Sequence, residues 1–144
     1  MFNFIKSLFK KEYISQPTLN HSSLGEYKNN RLKSGGHGQE AIDYMDKNNI
    51  KYNINTTYCN GVRVGNVPNH HNKFKRTGNN QSWFPKHWDK EDIKRAGITV
   101  ARGIKYQDGK TKTGRHKNVD IGIIRTNGRV ATIFPLSKQK SRRK

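Results

Sequence analysis

The sequence has few cysteines, few acidic residues and no long apolar run. Cys59 is the single cysteine, so an intrachain disulfide is excluded and stability must come from packing. No apolar run approaches the roughly 18 residues that a membrane-spanning helix needs, so stable membrane insertion is not expected. In residues 1–11 lysines follow the apolar residues and no small-residue cleavage site comes after them. We therefore predict no signal peptide there.

The shortage of acidic residues leaves the chain strongly basic. Ten Asp and Glu face 29 Lys and Arg, which gives a formal net charge of +19. A charge of this size opposes compaction through self-repulsion, so it is better explained by a partner than by stability. Nucleic acid is the first choice because its phosphates form the densest common array of negative charge. A membrane surface or an acidic protein remains an alternative.

The length and the hydrophobic content fit one domain with an extension. Of the 144 residues 31% are hydrophobic, which allows a modest core. Apolar residues at positions 2, 5, 8 and 9 have helical spacing and predict an N-terminal amphipathic helix. Residues 15–33 are polar and irregular, and we interpret them as a linker. The expected organisation is an extension at 1–33, a folded domain at 34–137 and a basic disordered tail at 138–144.

The folded domain begins with a predicted helix and a hairpin. Ala41, Ile42 and Met45 define one apolar helix face, and Asn48-Asn49 can end the helix through a left-handed residue. Residues 52–58 alternate as in a strand. Asn60-Gly61 is a strong hairpin turn, and residues 62–64 can return as the partner strand.

A second helix and a second hairpin follow. Asp89 can cap the helix with Asp92 at its third position, and Gly103 suits the C-terminal cap. Residues 119–125 and 130–134 predict two strands joined by a turn at 126–129, and Pro135 ends the second strand. The order helix, hairpin, helix, hairpin predicts an α+β fold in which N-terminal helices precede antiparallel sheets.

Histidine can both accept and donate a proton near neutral pH, and the chain has six histidines. His37 lies between glycines just before a predicted helix, where glycine lets the backbone approach a ligand and leaves the ring accessible. The helix N–H groups would keep the ring neutral and suited to act as a base. The alternative is a capping or surface histidine.

A second group of candidates combines histidine with cations. His70 and His71 precede Lys73, Lys75 and Arg76, a combination that can bind a phosphate and neutralise its developing charge. The alternative is a solvated loop that only binds backbone phosphates. Because no carboxylate or cysteine lies nearby in sequence, a metal site is not predicted. Asn69 and Asn72 leave a His–Asn metal nuclease open.

Aromatic residues are concentrated just before the second predicted helix. Trp83, Phe84 and Trp88 could stack on bases. Core packing and packing at the helix entry are the favoured roles, and stacking is the alternative. The carboxylates of Asp89 and Asp92 are already explained by the helix start, so they do not indicate an acidic metal site.

Four segments together resemble the bacterial EndoU nuclease family, a common C-terminal domain of polymorphic and contact-dependent toxins. They are SGGHGQE at 34–40, VRVGNVPNH at 62–70, QSWFPKHW at 81–88 and GRVATIFP at 128–135. The resemblance covers residues 34–136 and implies a fold related to barnase-like and EndoU nucleases. It also implies a site of two histidines and one lysine or equivalent, with neither metal nor cofactor.

The resemblance assigns roles to particular residues. His37 matches the first histidine; His70 is the choice for the second, with His71 as competitor. The family's lysine precedes the Phe-Pro pair, where this chain has residues 79–82, so Lys75 or Arg76 must replace it. Thr132 matches the family's closing-strand threonine, and Phe134 stands where tyrosine is usual. The predicted substrate contacts are Lys73, Ser82, Trp83 and Phe134.

The implied function is a metal-independent endoribonuclease toxin. One histidine takes the 2′-OH proton and the other protonates the leaving 5′-oxygen, which gives 2′,3′-cyclic phosphate and 5′-OH ends. RNA, tRNA included, is the expected substrate of a monomeric effector that acts in a target-cell cytoplasm. An acidic immunity protein is the expected partner. The alternatives are a His–Asn metal-dependent DNase and a non-catalytic nucleic-acid-binding module.

Overall fold

The computed structural model of the chain describes residues 12–102 and 108–144. The amphipathic helix predicted at residues 2–9 and the helix cap predicted at Gly103 lie outside these residues. In the described ranges the helices are α1 (Gln16–Ser23), α2 (Gln39–Lys47) and α3 (Lys90–Ala101), with a 3-10 helix at Lys73–Arg76. No helix in this part of the chain is long and apolar enough to cross a membrane.

The described residues form eight strands in three antiparallel sheets. The strands are β1 (Glu26–Lys28), β2 (Arg31–Ser34), β3 (Asn53–Thr57), β4 (Arg63–Asn66), β5 (Gln81–Trp83), β6 (Thr111–His116), β7 (Val119–Thr126) and β8 (Arg129–Pro135). They pair as β1–β2, as β3–β4–β5 and as β6–β7–β8. The predicted α+β class with antiparallel sheets is confirmed.

Both predicted hairpins are present. The β3–β4 hairpin pairs Asn53 with Asn66, and its turn contains Asn60 and Gly61. The β7–β8 hairpin turns at Asn127 and Gly128, which both have positive φ angles of 53° and 74°. Local turn chemistry was sufficient to predict these pairings: positive φ at both central residues selects Asn-Gly at 127–128, and Gly61 supplies the positive φ of 95° in the first turn.

Both predicted helices of the folded domain are confirmed. Helix α2 buries Ala41, Ile42 and Met45, and Asn49 beyond its end has a φ of 56°. Helix α3 begins with a capping box in which the Asp89 and Asp92 side chains each accept the other's backbone N–H.

The linker predicted at residues 15–33 is corrected by the structure. Ser15 caps α1 by accepting the Thr18 N–H, and the β1–β2 hairpin follows the helix. The Thr18 hydroxyl donates to the Val130 carbonyl of β8, and Ser22 accepts the Ile133 N–H. The buried face of α1 is therefore largely hydroxyl-bearing, and apolar periodicity could not reveal it.

The disordered tail predicted at residues 138–144 is also corrected. The Cys59 N–H donates to the Arg142 carbonyl, and the Lys144 N–H donates to the Thr57 carbonyl. Closer to β8, the Gln139 amide donates to the carbonyls of Asp120 and Leu136. Backbone bonding fixes this segment, and composition gives no signal of such bonding.

The apolar side chains form two buried clusters. The larger one packs α1 and α3 against the β6–β7–β8 sheet and includes Ile93, Ile121 and Ile133. The smaller one surrounds α2 and includes Leu32, Met45 and Trp83. The histidines described next lie on α1, on the loop before α2 and on the loop before the 3-10 helix.

Candidate active site

The end of α1 holds the loop that carries His37. Three successive amides of the loop donate to three successive carbonyls of the helix: Gly36 to His21, His37 to Ser22 and Gly38 to Ser23. A helix end leaves its last carbonyls without partners, and this loop satisfies them. The contact brings His21 and His37 together although sixteen positions separate them in the sequence (37 minus 21).

Glycine is needed where the loop passes the helix. Gly35 has a φ of +66°, and a Cβ atom there would lie 2.0 Å from the His21 carbonyl oxygen. The glycines therefore allow the backbone to approach a helix end, whereas the sequence indicated approach to a ligand. The His37 residue is only 5% exposed, so the expected open ring is corrected as well.

His37 is a neutral, oriented imidazole. Its Nδ1 lies 2.8 Å from the Ser82 carbonyl oxygen and must carry a proton to donate there, which leaves Nε2 as the acceptor. Burial, followed by the positive charge of Lys75, lowers the pKa of His37 from 6.5 to about 3. The expectation of a neutral ring therefore agrees with the structure, but the dominant cause is desolvation, not a helix terminus.

His21 is a site residue that the sequence analysis missed. Its Nδ1 lies 2.6 Å from a carboxylate oxygen of Glu26, and its Nε2 lies 3.2 Å from the Thr132 hydroxyl. The Ser34 hydroxyl donates to the same Glu26 carboxylate. Because His21 was placed in a linker, no periodicity drew attention to it. The Ser15-x-x-Thr18 cap, which includes Pro17, was the local sign of the helix that positions it.

His70 is held in the opposite tautomer. Its Nδ1 accepts the Asn72 backbone N–H at 2.8 Å, so the proton of the neutral ring is on Nε2. Burial, with the positive charge of Lys75 next, lowers its pKa to about 4. A neutral ring with Nε2–H can donate a hydrogen bond, but its Nε2 cannot accept a proton.

His71 and Arg76 contribute to the wall of the site in other ways. The His71 ring reaches the Lys28 carbonyl of the β1–β2 hairpin, and its backbone N–H donates to Leu32. Arg76 donates through Nε to the His70 carbonyl oxygen at 2.6 Å. Arg76 thus fixes the backbone at His70.

Lys75 is the cation shared by the two buried histidines, since its charge lowers the pKa of both His37 and His70. Burial lowers the pKa of the Lys75 ammonium itself. Its Nζ has no hydrogen bond or salt bridge within residues 12–102 and 108–144. Lys73, on the same 3-10 helix, is exposed.

Thr132 and Phe134 bring β8 into the site. Alternate residues of a strand share a face, so Thr132 and Phe134 point the same way while Ile133 enters the core. Thr132 contacts His21, and the Phe134 ring centre lies 5.8 Å from that of His37. The strand therefore links both imidazoles from one side.

Two predicted substrate contacts are structural instead. Trp83 is fully buried in the smaller core cluster and cannot stack on a base. Ser82 is buried, and its hydroxyl donates to the Pro135 carbonyl, while its own carbonyl positions His37. β5 is an edge strand of the β3–β4–β5 sheet, and all three of its residues are buried.

Two buried polar side chains support the His37 loop. The Gln81 amide nitrogen donates to the carbonyls of Gly35 and Gly36 at 3.3 and 3.1 Å. The Arg63 guanidinium bridges the Gln39 side chain and the Phe84 carbonyl. The Gln81 bonds tie the loop to β5. The Arg63 bonds tie β4 to the start of α2 and to the residue that follows β5.

The arrangement suits acid–base chemistry at a phosphate. His21 and His37 are each fixed through Nδ1, so Nε2 is the atom left for proton transfer, and Lys75 supplies positive charge. No group of three or more metal-ligating His, Cys, Asp or Glu side chains occurs in the described part of the chain. The absence of metal from the reaction stays a prediction.

One of three comparisons with known proteins gives a match. The family model described as bacterial EndoU nuclease matches residues 15–137, which is most of the chain and includes α1 and His21. Searches of curated proteins and of solved structures found no match. The match spans both imidazole-bearing segments, the cationic 3-10 helix and the closing strand. The chain belongs to the bacterial EndoU nuclease family.

Proposed function

We propose that this nuclease cleaves RNA without a metal, by attack of the 2′-OH on the adjacent phosphorus. The observation that carries the proposal is the pairing of His21 and His37, which are held by acceptors at Nδ1 and linked by β8. Two oriented imidazoles beside a cation provide the base, the acid and the counter-charge that the reaction needs.

His37 serves as the base. Its neutral ring accepts the 2′-OH proton at Nε2, while Nδ1–H stays bonded to the Ser82 carbonyl. The 2′-oxygen then forms a bond to phosphorus as the bond to the 5′-oxygen breaks. A pKa of about 3 in the free protein makes the base neutral but weak. The bound phosphate brings a negative charge that offsets Lys75, so RNA binding raises the basicity of the ring.

His21 serves as the acid. It donates the Nε2 proton to the departing 5′-oxygen, and the Glu26 carboxylate at Nδ1 balances the charge of the doubly protonated ring. The products are a 2′,3′-cyclic phosphate and a 5′-hydroxyl. The Thr132 hydroxyl, 3.2 Å from Nε2, marks the place where the phosphate would enter.

The remaining cations and donors stabilise the phosphoryl oxygens. Lys75 acts as the point charge that the family's lysine would supply, and His70 donates through Nε2–H. We choose His21 over His70 as the acid because the acid must be doubly protonated before it donates, and the Asn72 N–H occupies Nδ1 of His70, the nitrogen that would have to take up the second proton. His71 is the weaker competitor, since its ring contacts the β1–β2 hairpin.

The biological role follows from the chemistry. A metal-independent RNase acts in any cytoplasm, so we propose that the protein is a toxin delivered into a target cell. Its producer then needs protection, and a net charge of +19 favours an acidic immunity protein that covers the basic cleft.

Incubation of the purified protein with total RNA in EDTA tests the proposal. The expected result is cleavage with 2′,3′-cyclic phosphate and 5′-OH ends, and no cutting of DNA, which lacks the nucleophile. Cleavage of duplex DNA that EDTA abolishes would assign the chain to metal-dependent DNases. Salt-dependent binding of RNA that stays intact in every buffer would assign it to non-catalytic modules.

A further inference from the structure

A basic pocket lies between the β6–β7 strands and the C-terminal segment, outside the imidazole site. It encloses about 300 Å³. Three cations line it: Arg115 from β6, and Lys138 and Lys140 from the segment that follows β8. Five of the last seven residues of the chain are basic: Lys138, Lys140, Arg142, Arg143 and Lys144.

Hydrogen bonds and an ion pair of a buried carboxylate hold the pocket in shape. Asp120, its one carboxylate, is 5% exposed, and its oxygens bind Arg115 Nε at 3.1 Å and the Lys140 backbone N–H at 2.7 Å. Gln139 accepts the Asp120 N–H and donates to its carbonyl. These bonds anchor the Lys140 backbone and the Gln139 side chain, and Gln139 lies between the two lysines in the sequence. The Nζ atoms of Lys138 and Lys140 have no hydrogen bond or ion pair to any described residue.

The pocket adjoins the proposed catalytic site along β8. Phe134, whose ring contacts His37, and Leu136, which lines the pocket, both lie over Gly122. A Cβ atom on Gly122 would lie 2.6 Å from the Phe134 ring and 3.1 Å from a Leu136 methyl carbon. Two residues along a strand span roughly 7 Å, so a chain bound beside His37 can continue into the pocket.

We infer that this pocket is a second phosphate subsite, which binds the RNA backbone next to the cleaved bond. The inference rests on the proposed function, because it takes RNA as the ligand. The two lysine ammonium groups bind phosphate oxygens as mobile point charges. Arg115, whose Nε and Nη2 bond to Asp120 and Asn118, adds positive charge at a fixed position. Fixed cations outside the catalytic centre increase affinity for RNA longer than a dinucleotide.

Comparison of two substrates tests the inference. The variant is Lys138→Gln/Lys140→Gln, and the matched control is Lys47→Gln/Lys51→Gln, which removes the same charge at exposed positions elsewhere. The first variant should lower kcat/KM for a short oligoribonucleotide about 10-fold. It should leave cleavage of a dinucleotide, which carries only the scissile phosphate, unchanged. The control should behave as wild type on both substrates.

Binding of an uncleavable 2′-O-methyl oligonucleotide separates this inference from the proposed function. For this ligand the variant should lower the slope of log affinity against log salt by ~1.4, which is ~0.7 for each lost phosphate contact. If the variant keeps the wild-type affinity and the wild-type salt dependence for this ligand, the subsite is overturned, even if the wild-type protein cleaves RNA. If the variant binds and cleaves RNA as wild type does but no longer binds an inhibitory protein, the pocket is a protein interface. That result would also overturn the subsite. Absence of cleavage by the wild type, with the slope change present, would overturn the proposed function alone.

Discussion

The Nδ1 atom of His21 lies 2.6 Å from Oε2 of Glu26, and this contact determines the direction in which His21 can transfer a proton. A carboxylate only accepts, so Nδ1 must carry hydrogen and Nε2 is presented toward Thr132. His37 is oriented in the same manner by the Ser82 carbonyl. Two histidines from different segments therefore present the same ring atom to one site.

Conservative replacement of the two imidazoles should remove activity while the fold remains. In His21→Asn and His37→Asn the amide can still donate to Glu26 or Ser82, but Nε2 is lost. Each variant should lower kcat by about 10²–10⁴. Single-turnover cleavage of an oligoribonucleotide measures the effect, and His71→Asn should stay close to wild type.

The same assay distinguishes His21 from His70. His70→Asn keeps an acceptor for the Asn72 N–H and loses the Nε2–H donor. Its loss of kcat should be smaller than that of His21→Asn. An equal or larger loss would make His70 the second proton-transfer group.

The Glu26 carboxylate should affect turnover far more than substrate binding. In Glu26→Gln the amide can present N–H to His21 and stabilise the wrong tautomer, so kcat should fall by about 10² or more with little change in KM. Ser34→Ala is the matched control, because it removes a donor to Glu26 and leaves the carboxylate in place. An effect of Ser34→Ala as large as that of Glu26→Gln would contradict this role.

Stability should decrease as the pH falls below 6.5. The folded-state pKa values of His37 and His70, about 3 and about 4, lie below their ordinary value of 6.5. Below pH 6.5 the unfolded chain therefore binds more protons than the folded chain, and acid favours unfolding. The contribution of each ring is fully present above pH 6.5 and is lost progressively down to its folded pKa.

Urea unfolding at several pH values measures this loss. Between pH 6.5 and pH 5 each of the two histidines should remove about 2 kcal/mol from the free energy of unfolding. His37→Asn and His70→Asn should each make the loss of unfolding free energy between pH 6.5 and pH 5 smaller by about 2 kcal/mol. His87→Gln, at an exposed position, should leave it unchanged. A wild-type dependence that persists in both Asn variants would contradict the assignment.

Gly35→Ala should disrupt the contact between α1 and the His37 loop. Gly35 and Gly128 have similar positive φ angles, but only at Gly35 would a Cβ atom meet backbone, 2.0 Å from the His21 carbonyl oxygen. Gly128→Ala should cost about 1 kcal/mol through φ strain alone. Gly35→Ala should cost about 3 kcal/mol or more and reduce activity. Equal losses of unfolding free energy in the two variants would show that the close contact is unimportant.

Trp83 and Phe134 should separate stability from substrate binding. Trp83→Ala removes a fully buried core side chain and should cost about 3–5 kcal/mol of unfolding free energy. Phe134→Ala removes a partly exposed ring beside His37 and should mainly raise KM. A raised KM in Trp83→Phe with normal stability would restore Trp83 as a substrate contact.

Features of local origin were predictable from the sequence. Asp89 and Asp92 cap α3 and Asn127-Gly128 turns the last hairpin, because these residues act on backbone groups a few positions away. His37 was found through its flanking glycines, and Lys75 through its neighbours in the cationic segment. The family resemblance came from the same short motifs.

Features that depend on distant contacts were missed. The buried face of α1 consists largely of hydroxyl groups that bond to β8, so its sequence has the composition of a linker. The bonds that fix residues 138–144 join backbone groups, which carry no composition signal. The assignment of Trp83 as a substrate contact was wrong because its ring lies in the smaller core cluster, which is the core packing that its aromatic segment favoured.

The sequence by itself determined the α+β class, two helices, two hairpins, the basic character and one candidate imidazole, that of His37. The choice between His21 and His70 as the proposed second proton-transfer group needed the tertiary structure. That choice depends on which ring nitrogen is occupied: Glu26 holds Nδ1 of His21 as a donor, while the Asn72 N–H occupies Nδ1 of His70. Hydrogen bonds between atoms brought together by folding set a tautomer, and spacing along the chain does not record them.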